Sequence, residues 1–286
     1  MTACELNNEL DVNLPSGVFA LSGLPRSGTT YLAAVLHDPP STITMSEARG
    51  AWKQAWRNGA NTEAIAELMH EFHDRIRVGE AVATFEGTPG YSGDARVDTW
   101  NQPKIERAID TTPGFRLGFK NPEVFLDWLP QLRELGIPVV ITVRHPVTIV
   151  NSWLKKRATR ITNGKDPAGH FGNGDAVTFT ASSSDPIDRC IELHEYLATK
   201  IVKLLDDPGV LIIRYEHWFS DDNLLTQIVD FLGLHSSKGL SPRPIRPETP
   251  SLLDDDAIER LRTGCLSAEP LGYSRNSEAW RAGFVL

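Results

Sequence analysis

The chain is short of cysteine, lacks any long apolar run and carries no excess of positive charge, and each shortage removes a class of protein. Its three cysteines, Cys4, Cys190 and Cys265, are odd in number and lack metal-ligand spacing. Neither a disulfide framework nor a zinc site is expected, and a reducing compartment fits. Nowhere do about twenty apolar residues follow one another, and the stretch from Met1 to Leu6 has no basic segment leading into an apolar one. The expectation is a cytoplasmic protein with neither leader nor membrane span. A formal net charge of −8 argues against nonspecific adhesion to nucleic acid or to an anionic membrane, because both need a basic surface. Any anionic ligand must therefore be held locally.

What is present describes a globular α/β chain. A hydrophobic content of 41% and a charged content of 23% over 286 residues allow a sizeable core and indicate neither disorder nor a fibrous repeat. We read one domain, residues 1–286, with insertions. Gly17 to Ser22 is a short apolar run flanked by glycine, as in a buried strand, and the spacing of Tyr31, Leu32, Val35 and Leu36 predicts a helix from Thr29, stopped by Asp38-Pro39-Pro40. Further strands are expected at Thr42–Met45, Arg116–Phe119, Pro138–Val143 and Val210–Ile213, and further helices at His145–Lys156, Pro186–Leu205 and Leu224–Leu232. Residues 52–113 read as a helical insertion rich in aromatics, and the Gly-rich stretch within 160–185 as a flexible loop on the acceptor side. Strands separated by helices imply a doubly wound parallel sheet of the P-loop NTPase-like kind, whose ligands bind beyond the carboxyl ends of the strands.

One such end carries a recognisable turn. Gly23-Leu24-Pro25-Arg26-Ser27-Gly28-Thr29-Thr30 follows a strand and opens a helix with the glycine spacing of the nucleotide loop GxxxxGK[ST]. Its backbone N–H groups, with the unpaired donors and positive dipole end of the helix, can cradle an anion. Thr29, however, stands where an NTPase loop has its lysine, and the strand Val139–Val143 runs into Arg144 where a magnesium-binding aspartate would stand. A donor that needs no metal is favoured.

Pro25-Arg26-Ser27-Gly28-Thr29-Thr30, together with Val143-Arg144-His145-Pro146 and Ser152, resembles the PAPS-dependent sulfotransferase family. PAPS is 3′-phosphoadenosine 5′-phosphosulfate. The resemblance implies that the loop, with Arg26, Ser27, Gly28, Thr29 and Thr30, binds the 5′-phosphosulfate. It also implies that Arg144 and Ser152, eight residues apart as in the family, grip the 3′-phosphate. Arg144 would act as a fixed charged fork and Ser152 as a hydroxyl donor. Ile212 to Trp218 looks like the family's strand-to-helix segment, which makes Tyr215 a nucleotide-pocket residue, and the tail around Tyr273 to Arg281 adds Arg275 as a donor-site candidate.

Sulfuryl transfer to an alcohol needs a base, in-line placement and positive charge on the departing phosphate oxygen. Glu47 falls where the tyrosylprotein sulfotransferases, which share the Arg-Ser-Gly-Thr-Thr loop with bacterial relatives, carry a catalytic glutamate. Arg49 matches a further arginine of that active site. Lys120 resembles the family lysine that contacts the bridging oxygen, and with Arg26 completes the catalytic set. His170 in the Gly-rich loop is placed to meet the acceptor. His70, His73 and His194 sit in helical patterns and read as exposed or core residues.

The expected activity is therefore sulfuryl transfer from PAPS to a hydroxylated small metabolite or glycoconjugate, without metal. Two alternatives stay open: a P-loop kinase or nucleotide hydrolase with a degenerate loop, and a noncatalytic nucleotide-binding protein.

Overall fold

The computed structural model describes residues 17–46, 61–83, 106–162, 181–234 and 252–280. Its centre is the strand β1, Val18–Gly23, buried along its whole length. Around it lie β2 (Thr42–Ser46), β5 (Arg116–Lys120), β6 (Val139–Val143) and β7 (Val210–Arg214). All four pairings are parallel, in the order β2-β5-β1-β6-β7. The chain moves out to β2, returns through β5 and then steps past β1 to β6 and β7, so its direction of travel across the sheet reverses at β1. In a parallel sheet this is where a crevice opens beyond the carboxyl ends.

Alternation along β1 explains the two layers of helix. Phe19 and Leu21 face one side with Val140 and Ile213, and are covered by Leu32 and Leu36 of α1 (Thr29–Leu36) and by Leu224, Ile228 and Leu232 of α7 (Leu224–Leu232). Val18 and Ala20 face the other side. There they meet α2 (Thr62–Arg77), α3 (Pro122–Asp127), α4 (Leu129–Glu134), α5 (Pro146–Thr162), α6 (Pro186–Val202) and α8 (Asp255–Gly264). A fully buried Leu, Ile or Phe contributes about 1.5–3 kcal/mol, so strands this apolar are held by covering both faces. Gly118 of β5 lies beside the Phe19 ring, where a Cβ would stand 2.3 Å from ring carbons; only glycine lets that ring lie on the strand.

The doubly wound sheet is as the sequence implies, and its strands begin and end within a residue or so of expectation. Of the 52–113 insertion, the described part holds α2 and a short antiparallel ladder of β3 (Val82–Ala83) with β4 (Glu106–Arg107). Three helices were not anticipated. α3 and α4 have six residues each, too short for a helical period to show. α8 is announced by Asp254, whose carboxylate accepts from the Ala257 N–H at 2.8 Å, with Asp255 and Asp256 in the first turn. Helix α5 extends to Thr162, past the expected start of the Gly-rich loop; residues 163–180 of that loop lie outside the described residues. Cys190 and Cys265 are free and buried, and Cys4 also lies outside. Among the described residues no helix is long and apolar enough to cross a membrane.

Candidate functional site

Because the sheet is parallel, Gly23, Ser46, Lys120, Val143 and Arg214 end their strands on one edge. The loop after β1 is drawn tight against β6. Gly23 has φ 148°, and a Cβ there would lie 2.2 Å from the Thr142 carbonyl oxygen. The Leu24 N–H donates to that same oxygen at 3.0 Å. Ser27 is fully buried; its hydroxyl donates to the Thr142 carbonyl at 2.8 Å and lies 2.6 Å from the Thr142 hydroxyl. That hydroxyl is thus committed to fastening the loop, and its backbone N–H donates to Leu24. The Trp153 indole N–H of α5 holds the other side through the Pro25 carbonyl, at 3.2 Å.

The loop then enters α1 through two left-handed residues. Gly28 has φ 95° and Arg26, though not a glycine, has φ 73°, a conformation that costs energy and is kept only where its surroundings enforce it. Among the described residues no side chain caps the start of α1. Its first-turn N–H groups, from Gly28 to Thr30, have no intrahelical acceptor, the arrangement that receives an anion. Thr29 is buried and Thr30 half-buried.

Four residues singled out from the sequence meet beside this turn. The Arg26 Nε–H donates to the Ser152 hydroxyl at 3.1 Å, joining the loop to the second turn of α5. The Arg144 guanidinium lies over the Tyr215 ring, 4.4 Å from its centre, and its Nη1 is 3.5 Å from the Arg26 carbonyl oxygen. Gly28 approaches the same Tyr215 ring so closely that a Cβ would stand 2.5 Å from it. Two arginines, a hydroxyl and an aromatic face therefore border one uncapped helix start. This set suits an anionic nucleotide: a ring to stack on, fixed forks for two phosphates, and free backbone donors.

Lys120 closes the other flank. It is the last residue of β5, 2% exposed, in register with Leu21 of β1 and Ser46 of β2. The next residues are pinned: the Asn121 N–H donates to the Leu21 carbonyl at 3.1 Å and the Ser22 hydroxyl to the Pro122 carbonyl at 2.8 Å. Arg275 does not join the cluster by any contact with Arg26 or Arg144 among the described residues; its Nε lies 3.8 Å from the Glu269 carboxylate. Glu47, Arg49 and His170 lie outside the described residues.

The sequence reading missed a second ring of residues behind this one. Directly after Arg144, the His145 backbone N–H donates to Glu216 Oε1 at 3.0 Å, and the Tyr273 hydroxyl donates to Glu216 Oε2 at 2.8 Å. The His145 ring packs on Trp280 and Tyr273, at 4.5 and 5.3 Å between centres. Its Nδ1 accepts from the Val147 N–H at 3.3 Å, so the neutral ring carries its proton on Nε2, a buried atom with no hydrogen-bond partner among the described residues. Burial, with His194 and Arg144 nearby, lowers the His145 pKa to about 4. Burial and the Glu216 carboxylate push the Tyr273 phenol well above its usual value. Adjacency was the available signal, since Glu216 follows Tyr215 and His145 follows Arg144.

One further cluster has metal-ligand chemistry. Single donor atoms of His194, Glu195 and Cys265 all lie within 4.8 Å of one another, although their sequence spacing matches no metal motif. It is closed on itself: His194 Nδ1 is 3.2 Å from Glu195 Oε1, and the Glu195 carboxylate accepts the Ser267 N–H and hydroxyl at 3.0 and 2.9 Å. His194 is 1% exposed, consistent with its reading as a core histidine.

Fold and site together define an α/β protein with an uncapped helix start at the reversal point of a parallel sheet. No family model and no curated protein matches the chain. Among solved structures, it is similar to a sulfotransferase from Alicyclobacillus acidocaldarius, at 15% identity and a TM-score of 0.48, over 92% of this chain and 98% of that one. It is also similar to the sulfotransferase domain of the curacin biosynthetic pathway, at 15% identity and 0.42, over 79% and 76%. A third is mouse sulfotransferase SULT7A1 complexed with PAP, at 14% identity and 0.37, over 96% and 77%. At these identities and TM-scores the functional reading rests on the chain's own residues.

Proposed function

We propose that the protein is a sulfotransferase that moves the sulfuryl group of PAPS onto a hydroxyl of a small metabolite or glycoconjugate in the cytoplasm. One observation carries the reading: Arg26 bonded to Ser152, and Arg144 stacked on Tyr215, flank a single uncapped helix start. The 5′-phosphosulfate lies on the N–H groups of Gly28 to Thr30 with Arg26 beside it. The adenine packs on Tyr215, and Arg144 with Ser152 takes the 3′-phosphate. That last contact separates PAPS from nucleotides without a 3′-phosphate.

In the transfer, the acceptor oxygen forms a bond to sulfur as the bond from sulfur to the 5′-phosphate oxygen breaks. The hydroxyl proton passes to Glu47, with Arg49 and His170 on the acceptor side. Lys120 and Arg26 balance the charge growing on the departing oxygen, where positive groups lower the barrier most. Lys120 is 2% exposed, so water screens its charge less than that of a surface lysine. The chain has neither the loop lysine nor the strand-end aspartate with which an NTPase handles phosphates and magnesium, so no metal is assigned.

Thermal unfolding with adenosine 3′,5′-bisphosphate, with AMP, or with ATP and magnesium separates the readings, since a ligand of the folded state raises the midpoint. The bisphosphate gives the largest shift. Glu47→Gln keeps that shift while sulfuryl transfer from labelled PAPS to a metabolite extract falls by about a hundredfold or more. Best stabilisation by ATP with magnesium, and none by the bisphosphate, points to the kinase or hydrolase alternative. Bisphosphate binding with no transfer to any acceptor leaves the noncatalytic one.

A further inference from the structure

We propose that Glu216 is a positioning residue of the nucleotide site, setting Arg144 and Tyr215 in the geometry that selects a 3′-phosphorylated adenosine; this rests on the reading above. Glu216 itself lies behind the cluster, not in it. Its carboxylate accepts from two donors on different segments: the His145 backbone N–H at 3.0 Å and the Tyr273 hydroxyl at 2.8 Å. His145 is joined to Arg144 by one peptide bond, and Glu216 is joined to Tyr215 by another. One side chain therefore fixes the turn from β6 into α5 against the end of β7, and fixes both against the segment that follows Gly272.

The Glu216 carboxylate is placed to keep both bonds at once. It accepts from the residue that precedes α5, whose own first-turn N–H groups are taken up by His145, and it lies close to the Arg144 side of the turn. Hydrogen bonds to a charged acceptor are about twice as strong as neutral ones. The other tie between β7 and the tail, Arg214 Nη1 to the Gly272 carbonyl at 2.9 Å, bypasses Arg144. Without Glu216 the cation and the ring, 4.4 Å apart, are both still present and the β6–β7 ladder still pairs Val143 with Arg214, but the side-chain tie that joins His145 to Tyr273 beside them is gone. Affinity that depends on Arg144 must then fall more than affinity that depends on the loop.

The experiment measures binding of adenosine 3′,5′-bisphosphate and of AMP by calorimetry, on the full chain and on Glu216→Ala and Glu216→Gln. Glu216→Ala removes both bonds, and a loosened Arg144 that loses about one charge-assisted contact to the 3′-phosphate predicts bisphosphate binding weakened about tenfold, with AMP changed by less than about twofold. Glu216→Gln restores the bisphosphate to within about threefold, because an amide of the same length still accepts from His145 and can donate to the Tyr273 oxygen. Should the alanine chain fail to fold, Tyr273→Phe strips one of the two bonds at nearly constant volume and shifts the same ratio by about threefold. A wild-type preference for the bisphosphate that survives Glu216→Ala or Tyr273→Phe unchanged, or a parallel loss for both nucleotides, refutes the positioning role and leaves the nucleotide reading standing. A wild-type chain that does not prefer the bisphosphate over AMP refutes that reading, and the role of Glu216 with it.

Discussion

Gly28 carries two demands at once. Its φ of 95° lies where an L side chain is strained, and a Cβ would meet the Tyr215 ring at 2.5 Å. Gly28→Ala must therefore displace the ring or rotate the peptide, and either change disturbs the N–H groups at the start of α1. We expect the variant to lose bisphosphate binding by about tenfold or more, for a stability cost of about 1–3 kcal/mol; bisphosphate titration beside thermal unfolding checks both. Full affinity in this variant shows that the turn does not hold the phosphosulfate.

His145 makes a pH-dependent contribution to stability with a definite sign. Its folded pKa of about 4 lies below the ordinary value of 6.5, so between those values the unfolded chain binds the proton and the folded chain does not. Stability from this residue is complete above about pH 6.5 and drains away as the pH falls towards 4, by about 3 kcal/mol in all. Denaturant unfolding from pH 7 to 4.5 should show that decline, and His145→Asn should flatten it. The same slope in both proteins would assign the acid sensitivity to other groups.

At the scale of elements, what could be read from the sequence was what is local. The apolar run of β6, the break after Leu36 and the glycine spacing of the first turn are properties of neighbours in the chain, and each appears in the fold within a residue or so. So do Arg26, Arg144, Ser152 and Tyr215, because each stands at a strand end or in the first turns of a helix, where a parallel sheet must bring them to one edge. Residues whose significance depends on a distant partner were illegible. Ser27 looked like a ligand residue, yet its hydroxyl bonds Thr142, 115 positions away. Glu216 takes its part from Tyr273, 57 positions on, whose hydroxyl it accepts. Helices α3 and α4 failed for another reason: six residues show less than two turns of periodicity, so tertiary burial of Phe125, Leu129 and Leu132, not pattern, holds them.

For the whole molecule, the question is whether ligand binding follows the sheet edge. The acidic balance of the chain, −8 overall, argues against broad attraction of a nucleotide, so binding is expected where cations are fixed by the fold. The described residues offer one contrasting place: an open hollow of about 350 Å³ between α6 and α8, bordered by Asp188, Ile191, Glu192, Arg260, Thr263 and Gly264. Its arginine is already paired with Asp185 and Asp188, at 2.6 and 2.5 Å, and the Glu192 carboxylate on its border repels phosphate. Hydrogen exchange with and without adenosine 3′,5′-bisphosphate distinguishes the two. Slowed exchange is expected at Gly28 to Leu32, in the first two turns of α5 and from Tyr215 to Trp218, with the α8 amides unchanged, because ligand binding suppresses the local openings that expose those N–H groups. Protection centred on α8 and the first turns of α6 would instead place the nucleotide on the wrong side of the molecule for Arg26 and Arg144 to hold it.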